Sequence, residues 1–135
     1  MKHRSPFLFL DKIIQIDKDN IWATKEINKK DLDFLGHFPG MSIMPGVMQI
    51  ESMAQAANFL LLHNRKKPEN FFIYLISINY AKFRLIIKPN DNLLIYCKIN
   101  NNLKRNIYTI YGIIYINNSI ASESEFNVKL VQNKT

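Results

Sequence analysis

The spacing of apolar positions divides the chain into three regimes. Ile13, Ile14 and Ile16 predict a short strand, Asp17-Lys18-Asp19-Asn20 a turn by composition, and Ile21 to Ile27 a returning strand that carries Trp22 and Thr24. These make a hairpin, preceded by an apolar lead-in over residues 5–10. From Val47 the period changes: Val47, Met48, Ile50, Met53, Ala54, Ala57, Leu60 and Leu61 recur at the three- and four-residue spacing of a helix. Ala56, Phe59 and Leu62 fill its opposite side, so this helix is apolar nearly all round and calls for other structure to wrap it. Near Asn64 the pattern stops, where Arg65-Lys66-Lys67-Pro68 supplies cations for the negative helix end and a proline to halt it.

After Pro68 the chain reads as strand to its end. Phe71–Tyr80, Leu93–Ile99, Ile107–Ile116 and Ile120–Val131 are rich in Ile, Tyr, Phe and Val. Breaks are expected at 88–92, at Asn100-Asn101-Asn102 and at Asn117-Asn118, the last a two-residue hairpin signal. Short connections favour antiparallel pairing. The order of elements predicts an α+β fold in which an antiparallel β-sheet curls around one long central apolar helix. No linker or repeat interrupts it, so residues 1–135 read as a single domain.

Between hairpin and helix lies the stretch with chemical content. Asn28 to Asp33 is a polar lead that passes through Phe34-Leu35 into Gly36-His37-Phe38-Pro39-Gly40 and then Met44-Pro45-Gly46-Val47. This density of proline and glycine excludes regular structure from 36 to 46. His37 sits in a tight turn, a Pro-Gly pair opens the helix, and Glu51 lies a turn and a half inside it. Glu51, Gln55 and Asn58, at i, i+4 and i+7, form one polar stripe on the apolar helix. A base, a carboxylate on a rigid helix and free backbone donors at the helix start are the parts of an acid–base site. Alone, His37 would pass for a loop histidine and Glu51 for an ordinary helix charge; their combination with two Pro-Gly elements singles them out.

Composition changes this picture little. A net charge of +7 favours acidic partners. The basic residues are nevertheless scattered and no nucleic-acid-binding motif accompanies them, so nucleic acid is not expected as a partner. The single cysteine, Cys97, lies in an alternating run and reads as a packing residue in a reducing compartment. His63 is assigned to the helix C-terminus, and Met44, Met48 and Met53 to packing. No metal-ligand spacing and no phosphate-cradling glycine loop occurs. The apolar run 47–62 is broken by polar residues and falls short of the about 20 residues of a membrane span, so a soluble, cytoplasmic protein is expected.

The sequence Gly-His-Phe-Pro-Gly at 36–40, with Met-Pro-Gly-Val at 44–47, Glu51 and Ala54-Gln55, resembles the active-site signature of the 3-hydroxyacyl-[acyl-carrier-protein] dehydratases, and within them the FabZ type, a hot-dog fold. The resemblance extends over nearly the whole chain, through His3-Arg4, Pro6-Phe7-Leu8 and Asp11, Ala81-Lys82-Phe83-Arg84, Pro89 and Asp91, and Ala121 and Glu123. It implies that His37 removes the C2 proton of a 3-hydroxyacyl thioester. Glu51 would protonate the departing hydroxyl, and the Gly46 N–H would polarise the thioester. It further implies that the Ile43 carbonyl fixes the His37 ring, that Gln55 holds the carboxylate or a water, and that Tyr74 and Phe83 gate or line an acyl tunnel.

Neither metal nor any other cofactor is implied. The implied partners are an acidic acyl carrier protein bearing the substrate on phosphopantetheine and a second copy of the chain, since in relatives the histidine of one subunit meets the carboxylate of the other. Such dimers often assemble into a trimer of dimers. The setting implied is fatty acid and lipid A biosynthesis. Glutamate at 51, where the related dehydratase/isomerase type has aspartate, favours the dehydratase-only type. Two departures stand out: Ser42 replaces a usual proline, and Pro89-Asn90-Asp91 a usual Pro-Gly-Asp. The alternatives are a hot-dog acyl thioesterase, which would hydrolyse the thioester, and a non-catalytic acyl-binding protein.

Overall fold

The fold is built on one continuous sheet with a long helix laid across it. The computed structural model describes residues 10–34 and 43–133, and for Asp31, Asp33 and Phe34 the backbone alone. In chain order the elements are β1 (Lys12–Ile16), β2 (Asn20–Glu26), α1 (Lys29–Phe34), α2 (Gly46–Leu62), a single 3-10 turn at Pro68–Asn70, β3 (Phe71–Phe83), β4 (Asn92–Leu103), β5 (Ile107–Ile116) and β6 (Ser119–Gln132). The six strands order as β1-β2-β4-β5-β6-β3, every neighbouring pair antiparallel. Most of the lead-in over residues 5–10 lies outside the described residues; Leu10 packs against the core.

Local chemistry explains the turns. In the first hairpin, Asp17 Oδ1 accepts from the backbone N–H groups of Asp19 and Asn20, an Asx turn that closes β1 onto β2. Asn117 adopts φ 55°, the left-handed conformation a two-residue hairpin loop demands, and Ile116 pairs with Ser119 across it. Asn90 stands at φ 74° in the Pro89-Asn90-Asp91 turn, where asparagine does the work of glycine. That turn is tied down by Lys88 N–H donating to Asp91 Oδ2 and by reciprocal bonds with Ile27.

The core lies between α2 and the sheet's inner face. Ile21 and Ala23 of β2, Leu93, Ile95 and Cys97 of β4, Ile110 and Ile114 of β5, and Phe126 and Val128 of β6 are buried against Met53, Ala56, Ala57 and Leu60 of α2. Burial of each large side chain contributes about 1.5–3 kcal/mol. Small residues in the middle of the sheet let the helix come close. A Cβ on Gly112 would stand 2.8 Å from Met53 Sδ, and on the neighbouring strand Ser124, its register partner, and Ser122 are buried as well. On the outer face Trp22 stacks between Tyr96 and Tyr115.

One expectation needs correction, and the structure adds two details. The polar lead, to which the sequence pattern assigned no element, contains α1. The Asn100–Asn102 cluster does not break the sheet: β4 runs on to Leu103, absorbing the change at an irregularity between Ile99 and Asn101, while Asn100 Nδ2 donates to Glu125 Oε2. The chain reverses later, where Arg105 and Asn106 take positive φ. The sheet wraps the helix as expected and leaves one stripe of it less covered. Val47, 68% exposed, and half-buried Glu51, Ala54, Asn58 and Leu62 form a stripe that the sheet leaves open, whereas Gln55 is buried. The polar stripe read from sequence runs along this flank, with Gln55 its most buried member and bonded to Glu51. Assigning His63 and Arg65 to the helix end agrees with the structure: His63 Nδ1 lies 2.9 Å from the Leu60 carbonyl oxygen, and Arg65 Nε donates to that of Leu61.

Candidate active site

The site grows from the first turn of α2. Pro45 precedes the helix at φ −62° and ψ 152°, and Gly46 is its first residue. Proline cannot donate and carries no capping side chain, and the first helical turn contains no acidic residue. The first N–H groups of a helix have no partner within it. Here no capping side chain from Pro45 claims them, and they sit at the positive end of a seventeen-residue helix.

Two interactions aim this helix start. Met44 N–H donates to the Ile87 carbonyl at 2.9 Å, tying the incoming chain to the segment that follows β3. Gln49 Nε2 donates to the Met44 carbonyl at 3.2 Å from one turn inside the helix. On the outside, the Phe83 ring lies against Gly46 so closely that a Cβ there would be 2.9 Å from its Cζ. Phe83 is the last residue of β3 and half exposed, so it forms one wall at the helix start.

Glu51 follows on the open stripe, half-buried. Gln55 Nε2 donates to Glu51 Oε2 at 3.2 Å, which holds the carboxylate from one turn further on and leaves its other oxygen available. Beyond Gln55 a cleft of about 470 Å³ runs along the C-terminal half of α2, bounded by Asn58, Phe59, Leu62, His63 and Phe71. Its lining is mainly apolar, as suits an alkyl chain.

The structure thus brings Gly46, Phe83, Glu51 and Gln55 onto the exposed flank of one helix. Ile43 is half-buried two residues before Pro45. Tyr74 is not part of this group within the protomer: it lies nine residues before Phe83 on β3, a stretch with two irregularities that β6 matches from Lys129 to Ser122, about 23 Å at ordinary strand rise. His37 and Ser42 lie outside the described residues. Among those described, no three His, Cys, Asp or Glu side chains stand together as a metal would require, and no helix is long and apolar enough to cross a membrane. Sequence reading missed Gln49. The available signal was a glutamine at a position that the helical period assigns to the core.

Comparison with known proteins places the chain in a family. The family profile described as the FabA-like domain matches residues 1–125. The chain belongs to the FabA-like family. It is 35% identical over 130 residues to the 3-hydroxyacyl-[acyl-carrier-protein] dehydratase FabZ of Solibacter usitatus, a match covering 96% of this chain and 80% of that protein. It is also 35% identical over 134 residues to the bifunctional enzyme LpxC/FabZ of Porphyromonas gingivalis; there the match covers 99% of this chain but only 29% of the relative. Among solved structures, a hot-dog-like protein from Thermanaerovibrio acidaminovorans superposes with a TM-score of 0.69 at 12% identity, covering 84% of this chain and 81% of that one. Such a likeness speaks for the fold alone, and the fold is the hot-dog: a six-stranded antiparallel sheet and one long helix.

Proposed function

We propose that this protein is a hydro-lyase that dehydrates (3R)-3-hydroxyacyl-[acyl-carrier-protein] to trans-2-enoyl-[acyl-carrier-protein], in the cytoplasmic synthesis of fatty acids and of the acyl chains of lipid A. The observation that carries the reading is the pairing, on one helix flank, of a helix start without a side-chain cap at Gly46 with a carboxylate, Glu51, held by Gln55. The names of its relatives in the FabA-like family support the same reaction.

In this mechanism the thioester carbonyl oxygen faces the Gly46 N–H. Negative charge gathers on that oxygen as His37 takes the C2 proton, and the helix start stabilises it; one such donor is worth about 3–4 kcal/mol. The C3–O bond then breaks, Glu51 gives its proton to the departing hydroxyl, and water leaves with a C2–C3 double bond formed. His37 and Glu51 each contribute about 10²–10⁴ in rate. Gly46 lacks a side chain, which lets the thioester approach between the helix start and Phe83. The acyl chain continues along the open stripe of α2 toward the cleft beyond Gln55.

The working unit is a dimer joined through β3. From Phe71 to Ala81 this edge strand has no charged residue, and it exposes Phe72, Tyr74, Leu75, Ile76 and Ile78. Isolated proteins protect such edges with charge or cover them. Antiparallel pairing of two β3 edges about a two-fold axis runs one strand's start beside the other's end. This brings the partner subunit's Tyr74 toward Phe83 and the helix start, which gives Tyr74 its gating place. The same pairing lets His37 of one subunit serve with Glu51 of the other. The +7 charge suits an acidic carrier protein at the entrance.

The test follows hydration of a crotonoyl thioester of carrier protein by loss of enoyl absorbance, with His37→Ala and Glu51→Gln beside the wild type. Turnover by the wild type without thiol release, falling at least about a hundredfold in each variant, is the expected result. Release of free thiol would instead make the protein a thioesterase, and neither signal from a folded dimer would leave an acyl-binding protein.

A further inference from the structure

We infer that Gln49 is a positioning residue for the thioester-polarising backbone at Gly46, an inference that rests on the dehydratase reading for its catalytic meaning but not for its geometry. Gln49 grips the entry to α2 through its side chain, whose Nε2 donates to the Met44 carbonyl at 3.2 Å. The Pro45 carbonyl, next along, accepts the backbone N–H groups of Met48 at 3.0 Å and Gln49 at 3.2 Å, bonds that any residue at those positions would make, so the side chain acts on the corner through Met44. The Pro45 carbonyl belongs to the same rigid peptide plane as the Gly46 N–H, pointing the opposite way. Whatever fixes that carbonyl fixes the direction of the N–H.

The upstream peptide is held as firmly. Met44 donates its N–H to the Ile87 carbonyl while its own carbonyl is taken by Gln49. Proline between them locks φ near −62°. The Met44–Pro45–Gly46 corner is therefore clamped from the sheet side by Ile87 and from the helix side by Gln49, with no cap side chain from Pro45 occupying the Gly46 end. Gln49 is not a substitute cap, since its amide donates to the Met44 carbonyl and accepts from none of the helix N–H groups. It binds the corner from beneath and leaves the donors on the outer side open.

The cost of this arrangement is visible. Gln49 is buried, 3% exposed, at a position the helical period would fill with an apolar side chain, and its Oε1 has no hydrogen-bond partner among the described residues. A buried acceptor left without a partner costs free energy. An apolar residue of the same shape would remove that unpaired acceptor and leave the buried Met44 carbonyl without its donor, so the amide brings little net stability and a purely structural role is a poor account of Gln49.

That difference gives the test. Gln49→Met keeps volume and removes both the amide donor and the unpaired acceptor. The chain has only four glycines (36, 40, 46 and 112), so protein labelled with ¹⁵N-glycine gives a spectrum with few backbone signals, in which Gly46→Ala identifies the Gly46 peak. In Gln49→Met the Gly46 amide should shift, the Gly112 amide should stay in place, and the melting temperature should hold, since the relief of the unpaired Oε1 offsets the loss of the donor to the Met44 carbonyl. With crotonoyl thioester, kcat should fall about 10- to 100-fold with KM within about twofold of the wild type. An unmoved Gly46 signal, or unchanged kcat in a folded variant, overturns the inference. So does a variant in which Gly112 is disturbed together with Gly46 and the melting temperature drops, since that is a core defect. If the wild type itself hydrates nothing, the dehydratase reading fails on that result, while the Gly46 amide still decides whether Gln49 sets its direction.

Discussion

Gly46 and Phe83 are in contact across the mouth of the site: a Cβ added to Gly46 would stand 2.9 Å from the ring's Cζ and 3.1 Å from each neighbouring Cε. The ring is half exposed and can swing outward, so the collision is relieved at the expense of the wall that Phe83 forms. Alanine is also favoured over glycine in a helix by about 1 kcal/mol. Gly46→Ala is therefore expected to change stability by less than about 1 kcal/mol while lowering kcat/KM about tenfold or more. Denaturant unfolding and thioester hydration on the same preparation check both halves. A large loss of stability would show that the ring cannot move.

The same substitution at Gly112 should behave in the opposite way. There a Cβ would meet Met53 Sδ at 2.8 Å, Cγ at 3.1 Å and Cβ at 3.2 Å, and Met53 is fully buried under the middle of α2. Its sulfur can be displaced but its Cβ moves only with the helix. Overpacking of this kind costs about 1–3 kcal/mol. Gly112→Ala should lower the denaturation midpoint without altering KM, because nothing on the open flank of the helix is touched.

These two glycines also mark what could be read from the chain. Proline before Gly46, the helical period after it and a carboxylate a turn and a half on marked the start of α2 and the candidate site beside it, because local patterns encode local structure. Strand positions followed from Ile- and Tyr-rich runs, and Asn90 and Asn117 declared their turns through asparagine's tolerance of positive φ. The β4 boundary was misplaced because three asparagines look like a break, whereas tertiary pairing with β5 and an amide bond to Glu125 keep them in the sheet. Which stripe of α2 the sheet leaves less covered was not legible, since an all-round apolar helix looks the same whichever face meets the sheet. Gln49 and the Gly46–Phe83 contact depend on distances between residues that no spacing rule connects.

Alkaline conditions should weaken the fold, and Cys97 should account for the first part of the loss. Burial pushes its thiol well above its ordinary value of 9.0, and its Sγ donates to the Met53 carbonyl. Burial also raises Tyr96 and Tyr111 above 10.0, with neighbouring ionisable groups adding to the effect. In each case the folded chain keeps a proton that the unfolded chain releases. Their stabilisation is complete below pH 9.0 and declines as pH rises beyond it. For Cys97 the slope approaches about 1.4 kcal/mol per pH unit. Cys97→Val should unfold at similar denaturant concentration to the wild type at neutral pH and lose less stability one unit above 9.0. Parallel loss in both proteins would assign the alkaline transition to other groups.

Sharing of the site between subunits has a quantitative consequence. If His37 of one subunit works with Glu51 of the other, neither His37→Ala nor Glu51→Gln protein has a functional site. A mixed dimer has one site in which both groups are intact and one in which both are missing. Random reassortment of equal amounts makes half the dimers mixed, so the mixture should recover about a quarter of wild-type activity per subunit. Recovery should require exchange, appearing after brief denaturation and refolding together and not after simple mixing at low temperature. The uncharged edge of β3 supplies a control: Ile78→Lys places a charge on an exposed position of that strand, 45% accessible in the isolated protomer. In the Ile78→Lys background the refolded mixture should sediment as monomers and recover nothing. Zero recovery from dimers that have exchanged would instead confine His37 and Glu51 to the same subunit.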